Sequence, residues 1–201
     1  MRLIITTKNQ GKARELKSLL EENSSILTLK EIDFNVKIVE DKDTFMGNAE
    51  KKALTVYELL KESYRDYFFL GEDSGLEVEA LGGRPGVYSA RYAGENATDD
   101  ENIKKLLLEM EGIPFEKRNA NYNCSMMLIS PEGKIIKSSG KCYGKIAFEP
   151  KGTNGFGYDP IFLTEESGYK ITMAELSETE KNKISHRKKA LEGILNELKY
   201  Y

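Results

Sequence analysis

GEDSGLEVEALGGRPGVYSARYAG, residues 71–94, follows directly on the apolar run Tyr67-Phe68-Phe69-Leu70. The run reads as a buried strand, and Glu72 and Asp73 fall where it stops. Acidic side chains at such a point can hold a hard cation such as Mg²⁺, which takes oxygen ligands. The glycines that follow let backbone approach a ligand closely. The same residues also suit a polar turn that closes a strand. This stretch leaves both readings open, and the chain on either side has to decide between them.

Upstream, Val36 to Val39 alternates as a second strand and ends at Glu40, with Asp41 and Asp43 close behind. Thr44 is placed to cap a long helix running to about Tyr64, with Phe45, Ala49, Ala53, Val56 and Leu60 as its apolar stripe. Asn48 and Lys52 are four residues apart and share a face bordering that stripe. Lys52 can cover core with its stem, or direct its ammonium into a site. Arg2 to Thr7 reads as a first, buried strand. A turn over Lys8 to Lys12 leads into a helix with Leu16, Leu19 and Leu20 on one face and Arg14, Glu15 and Lys17 on another. A helix N-terminus with a lysine in its first turn suits phosphate, although the GxxxxGK[ST] pattern of a P-loop is missing.

Downstream, Ala97-Thr98-Asp99-Asp100 starts a helix buried through Ile103, Leu106, Leu107 and Met110, and Gly112-Ile113-Pro114 stops it. Arg118 to Ser130 alternates, Pro131-Glu132-Gly133 turns the chain, and Lys134 to Phe148 returns, which predicts an antiparallel hairpin. Lys151 to Pro160 (KGTNGFGYDP) is a glycine-aromatic loop. Its Phe156 and Tyr158 either stack on a flat ligand or fold back into the core, and Asp159 can accept a hydrogen bond. Ile161-Phe162-Leu163 reads as a short buried strand. Ser177-Glu178-Thr179-Glu180 matches a capping box, and Leu191, Ile194, Leu195 and Leu198 give the last helix its core face. The basic run through Lys181, Lys183, His186, Arg187, Lys188 and Lys189 reads as a solvated face when taken alone.

Composition narrows the function. The chain has 201 residues, 39% hydrophobic and 31% charged, which suits one globular domain. Lys+Arg number 30 against 33 Asp+Glu, so no global basic field invites a nucleic-acid polymer, and any anion site must be local. Cys124 and Cys142 form no CxxC, which argues against a disulfide framework or a thiolate-zinc site, and His186 is the only histidine, which excludes a multi-histidine metal site. Free, partly buried thiols are expected, with a bridge between neighbouring strands of one hairpin as the alternative. No run approaches the ~20 apolar residues of a membrane span, and the N-terminal apolar run is too short for a signal peptide. A cytoplasmic protein without membrane contact is the expectation.

Acidic groups at Glu40 and Glu72-Asp73, cations at Lys12, Lys52, Lys181 and Arg187, and a glycine-aromatic loop together suit a magnesium-bound nucleoside polyphosphate. The full set of motifs resembles the inosine triphosphate pyrophosphatase family, which acts on non-canonical purine nucleoside triphosphates. The resemblance rests on TTKNQGK (6–12), Glu40 with TFMGNAEKKA (44–53), residues 72–94, GFGYDP (155–160) and EKNKISHR (180–187), in that order along nearly the whole chain.

The resemblance implies a mixed α/β fold: an elongated, bent central sheet with helices in two lobes of a single domain (1–201), and an active-site cleft between the lobes. It implies Asp73 as general base and Mg²⁺ ligand, with Glu40 as the second Mg²⁺ carboxylate. Thr7, Asn9 and Lys12, joined by Lys52 and Lys181, are implied contacts of the triphosphate, and Lys8, Gln10, Gly11 and Ser74 of the substrate. Phe156, Gly157, Tyr158, Asp159, His186 and Arg187 are implied to bind the base, Tyr158 standing where some members have tryptophan. ITP, dITP and XTP are the implied substrates, the monophosphate and pyrophosphate the products, and a homodimer the implied assembly. A pyrophosphatase for another abnormal nucleotide and a nucleotide sensor without catalysis are the alternatives.

Overall fold

The computed structural model of the chain describes residues 1–20 and 24–200. The chain folds into two compact units, each assembled from separate stretches. The first comprises Met1–Asp73, Cys124–Gly140 and Arg187–Tyr201, and the second Ser74–Asn123 and Lys141–His186. Six strands form one mixed sheet in the order β2-β1-β3-β4-β5-β6: β1 (Arg2–Ile5), β2 (Ser25–Thr28), β3 (Phe68–Val78), β4 (Asn119–Ile129), β5 (Ile135–Ile146) and β6 (Phe162–Thr164). The expected mixed α/β class is what the structure shows. β1 pairs in parallel with both β2 and β3, while β5 and β6 run antiparallel.

The parallel pairs need crossovers, and helices supply them. Helix α1 (Gln10–Leu19) leads from β1 to β2, and α2 (Phe45–Leu60) precedes β3. β1 is apolar at every position after Arg2, because each face of it is covered. Leu3 and Ile5 join a core cluster with Leu16, Leu20, Ala190, Leu191 and Ile194, whereas Ile4 joins Ala53, Val56, Phe69 and Met127. The first of these clusters takes residues from α1 and from α5 (His186–Leu198), the second from α2. Burying one large apolar side chain contributes about 1.5–3 kcal/mol.

Gly71 lies in β3 against α2, and a Cβ there would run into the Ala49 carbonyl and lie 2.8 Å from the Ala53 Cβ. Only a glycine lets helix and strand come that close. In the second unit α3 (Asp99–Glu109) buries Ile103 and Leu106 with Leu76, Tyr122, Tyr158 and Phe162. There the Arg118 guanidinium donates to the carbonyls of Ile146, Met110, Ile113 and Ala147, satisfying four acceptors from inside the fold.

Several expectations hold. Thr44 caps α2 by accepting the Gly47 N–H at 3.1 Å. Ser177 and Glu180 form the capping box of α4 (Glu178–Ile184). The hairpin is present, with the Ser130 N–H donating to the Lys134 carbonyl across its turn. Cys124 and Cys142 are buried thiols. Among the described residues no helix is long and apolar enough to cross a membrane.

Others need correction. Val36–Val39 forms no strand: Ile38 packs against a core cluster, but Val36 and Val39 are both exposed, and the segment and Glu40 lie on an extended loop. Glu72 and Asp73 do not end a strand but lie inside the 11-residue β3, which has strand neighbours on both sides. Strand β2 has no counterpart in the sequence reading, because four residues (SILT) show no period and only pairing with β1 defines them. Helix α1 begins at Gln10, inside the expected turn, and α2 ends at Leu60 rather than near Tyr64.

Replacing Gly71 with alanine is expected to lower the stability of the fold by about 1–3 kcal/mol through overpacking, read as an earlier urea unfolding midpoint at unchanged m-value.

Candidate active site

In the first unit the centre is a lysine between two carboxylates. Lys52 lies on the face of α2, 5% exposed, with Nζ 3.1 Å from Asp73 Oδ1 and 3.1 Å from Glu40 Oε2. α2 holds the second oxygen of Asp73 as well, since Asn48 Nδ2 donates to Oδ2 at 3.1 Å. Lys12 approaches from α1, with Nζ 3.2 Å from Glu72 Oε2 and 3.8 Å from Asp73 Oδ1. Arg187 closes the cluster from the start of α5, at 2.7 Å from Glu15 and 3.3 Å from Glu72. The Cys124 thiol faces Glu72 Oε1 at 3.5 Å.

The fields in this cluster are strong. Burial pushes the Asp73 carboxyl above the usual aspartate range; Lys12 and Lys52 oppose this, while Glu40 and Glu72 add to it. Glu40 is also disfavoured as an anion by burial, but Lys52 and Lys12 outweigh that and hold its carboxyl low. Burial opposes the charge on Lys52, yet Asp73, Glu40 and Glu72 keep its ammonium raised above the usual lysine range. Burial drives the Cys124 thiol well up, so it stays protonated beside Glu72.

The TTKNQGK segment leads into this cluster. Thr7 is buried, and its Oγ1 accepts the Asn9 N–H. Asn9 is the N-cap of α1, its Oδ1 accepting the Lys12 N–H at 3.0 Å. Lys8, Asn9 and Gln10 are exposed, and Gly11 is half-buried in the first turn. The exposed Lys8 ammonium donates to the Val36 carbonyl.

In the second unit Asp159 organises the glycine-aromatic loop. It accepts the Phe156 N–H at 3.0 Å, the Tyr122 hydroxyl at 3.0 Å and the Lys181 ammonium at 2.6 Å. Gly155 has φ +78°, and a Cβ there would strike Asp159 Oδ2, so glycine is required on both counts. Lys181 lies 4.8 Å from the centroid of the half-buried Phe156 ring. His186 is buried and stacks on Tyr122, with centroids 4.7 Å apart and an interplanar angle of 9°. Tyr158 folds into the core and donates its hydroxyl to the Ser89 carbonyl at 2.8 Å, which leaves Phe156 as the more accessible ring. The Gly157 N–H donates to Asp99, and Ser74 is half-buried on β3 directly after Asp73.

The structure therefore groups Lys181 with the aromatic loop, whereas the sequence reading set it with the triphosphate contacts. It groups Arg187 with Glu15 and Glu72, whereas the sequence reading set it with the base. Glu15, read with Arg14 and Lys17 on a face away from the leucines, is buried against Arg187; helical spacing carries no signal for a partner 172 residues away. Asn48 has a role the sequence reading did not give it, although its i, i+4 relation to Lys52 was visible. Among the described residues no group of three or more His, Cys, Asp or Glu side chains is gathered as a metal cage. Two oxygen-donor carboxylates, Glu40 and Asp73, nevertheless suit an ion such as Mg²⁺, which is usually held by one or two carboxylates and keeps water or phosphate as its other ligands.

Fold and site together define a class: a mixed α/β protein with a buried carboxylate–cation centre in its first unit. The chain belongs to the Ham1 family, whose model matches residues 3–197. It is 46% identical over 200 residues to a dITP/XTP pyrophosphatase of Clostridium tetani, covering 99% of this chain and 96% of that protein. It is 47% identical over 193 residues to a dITP/XTP pyrophosphatase of Bacillus licheniformis, covering 96% and 95%. The solved structure of the Staphylococcus aureus Ham1 protein matches with a TM-score of 0.84 at 35% identity, covering 99% of this chain and 98% of that one. The resemblance read from the five motifs holds.

Replacing Asp159 with leucine removes the carboxylate beside the buried Lys181 ammonium and is expected to cost about 3–5 kcal/mol of stability. The Asp159→Leu/Lys181→Met double variant is expected to recover part of that loss in chemical denaturation, because it removes the ammonium charge along with its carboxylate, while the Tyr122 hydroxyl and the Phe156 N–H stay without that acceptor.

Proposed function

We propose that this chain hydrolyses non-canonical purine nucleoside triphosphates (ITP, dITP and XTP) to the monophosphate and pyrophosphate, with Mg²⁺ as cofactor. One observation carries the proposal: the charge of the first unit's centre. Four carboxylates, Glu15, Glu40, Glu72 and Asp73, interlock there with three cations, Lys12, Lys52 and Arg187. Ionised, they leave one negative charge in excess, which repels a bare polyphosphate and accepts one that arrives with a divalent cation. The relatives named dITP/XTP pyrophosphatase support the substrate class.

Glu40 and Asp73 would hold the cation. When bound, Mg²⁺ neutralises phosphate charge and helps orient the polyphosphate. Lys12 and Lys52 bind phosphate oxygens as compact point charges, and the start of α1 turns its dipole toward the same anion. Asp73 takes the proton of the water that attacks the α-phosphorus. Asn48 and Lys52 each use one lone-pair direction on its oxygens, and a carboxylate has further directions left. Pyrophosphate leaves with its charge held by the lysines.

In the second unit Phe156 supplies the stacking face for a purine. The Lys181 ammonium, paired with Asp159 beside the Phe156 ring, is the cationic donor in this reading; a 6-oxo group accepts from it where adenine would present its amino group. Hydrogen-bond readout of this kind can discriminate by ~10⁴ or more. Ser74 and His186 are further substrate contacts in this reading. A cytoplasmic homodimer completes it, and sedimentation tests the dimer.

Pyrophosphate release is to be measured across ITP, dITP, XTP, GTP and ATP, with Mg²⁺ and with chelator. Release from the first three only, abolished by chelator, is the expected result. Asp73→Asn is expected to slow turnover by about 10²–10⁴-fold at saturating substrate and, because it removes one of the two carboxylates assigned to the cation, to raise KM as well. Binding of all three nucleotides without pyrophosphate release would instead identify a sensor, and wild-type turnover in Asp73→Asn would remove Asp73 from the chemistry.

A further inference from the structure

Asn48 is fully buried and stands one helical turn before Lys52 on α2. Its amide does two things at once. Nδ2 donates to Asp73 Oδ2 at 3.1 Å and to the Lys42 carbonyl at 3.4 Å, while Oδ1 accepts the Lys42 N–H at 3.0 Å. The same side chain thus grips the Asp73 carboxylate and the peptide two residues beyond Glu40. The neighbouring Gly47 packs against the same point, where a Cβ would come within 2.9 Å of the Lys42 Cβ.

This contact matters because Glu40 has no strand or helix to place it. The chain from Phe34 to Lys42 is in neither, so no backbone ladder sets where the Glu40 carboxylate points. Asp73 sits inside β3 and is placed by the sheet. Something has to bring a loop carboxylate and a strand carboxylate to one separation. Lys52 attracts both but, as a flexible point charge, sets their geometry loosely. The planar amide of Asn48 has the donors and the acceptor to fix both backbone and carboxylate. Aspartate cannot replace it, because it would offer an acceptor to the Asp73 oxygen. Alanine would release both contacts.

We infer that Asn48 is the positioning residue that fixes the separation of Glu40 and Asp73 for a divalent cation. The inference rests on the proposed function, which assigns the cation to those two carboxylates. Asn48 acts through Asp73 and the Glu40 loop and touches neither substrate nor metal. Partners of this kind typically alter metal affinity by about 10–100-fold when removed.

The test uses Mn²⁺, which favours the same oxygen ligands as Mg²⁺ and whose free form is counted by electron paramagnetic resonance. The intact protein is titrated without nucleotide. Asn48→Ala is expected to bind Mn²⁺ about 10–100-fold more weakly than wild type. Val56→Ala, a core truncation on the same helix, serves as the destabilised control; it is expected to melt earlier yet bind Mn²⁺ as wild type does. An Asn48→Ala affinity within about twofold of wild type, below the range expected for such partners, overturns the inference. So does an equal loss of affinity in Val56→Ala, which would reduce the effect to general destabilisation. Wild-type protein that takes up no Mn²⁺ at millimolar concentration overturns the metal assignment and the inference together. A wild type that binds Mn²⁺ but releases no pyrophosphate overturns the proposed reaction alone.

Discussion

The Lys52 ammonium, 5% exposed, is held between Glu40 and Asp73, and much of the first unit is arranged around that fact. Removing charges from water costs several kcal/mol per ion unless partners and hydrogen bonds compensate. The compensation here comes from separate parts of the chain. α2 brings Lys52 and Asn48, α1 brings Lys12 and Glu15, β3 brings Glu72 and Asp73, and α5 brings Arg187. Each helix that covers the apolar strands of this unit also delivers one cation to the cluster. Moving one helix would therefore leave a buried charge without its partner as well as opening the core. Gly71 belongs to the same constraint, since it permits the close approach of α2 to β3 that brings Lys52 to Asp73.

Glu72 gains its meaning in this setting. It is fully buried, and it meets Lys12, Arg187 and the Cys124 thiol. Its charge keeps two cations from different helices at one place while Asp73, its neighbour in the strand, is engaged by α2. The second unit repeats the logic on a smaller scale. Asp159 is the buried anion, Lys181 its cation, and the backbone of the glycine-aromatic loop is fastened to the same carboxylate. Tyr122 serves both Asp159 and His186, through its hydroxyl and its ring face.

Much of this was legible from residues alone, and the legible parts are local. The caps at Thr44 and Ser177 could be read because a cap is formed by residues three positions apart. The apolar run of β1 and the alternation of the hairpin announced strands, because a strand's burial is written in its own periodicity. The unreadable parts depend on partners distant in sequence. Val36–Val39 has the alternation of a strand and finds no sheet to join, while Ser25–Thr28 has almost no pattern and is a strand because β1 lies beside it. The basic run across α4 and the start of α5 looks solvated, and Lys183 and Lys189 are; Lys181, His186 and Arg187 are buried, each against a partner the run does not contain.

The sequence by itself determined the family, the mixed α/β class, the capped starts of α2 and α4 and the set of residue types that carry charge into the site. These follow from local spacing and from motif order, which need no knowledge of distant contacts. Only the tertiary structure decided that Glu40 reaches Lys52 from a loop, that Glu15 is buried against Arg187, and that Asn48 clamps Asp73 to the chain beyond Glu40. The physical reason is that a side chain's charge is fixed by its type, whereas its burial and its partners depend on which distant segments pack around it.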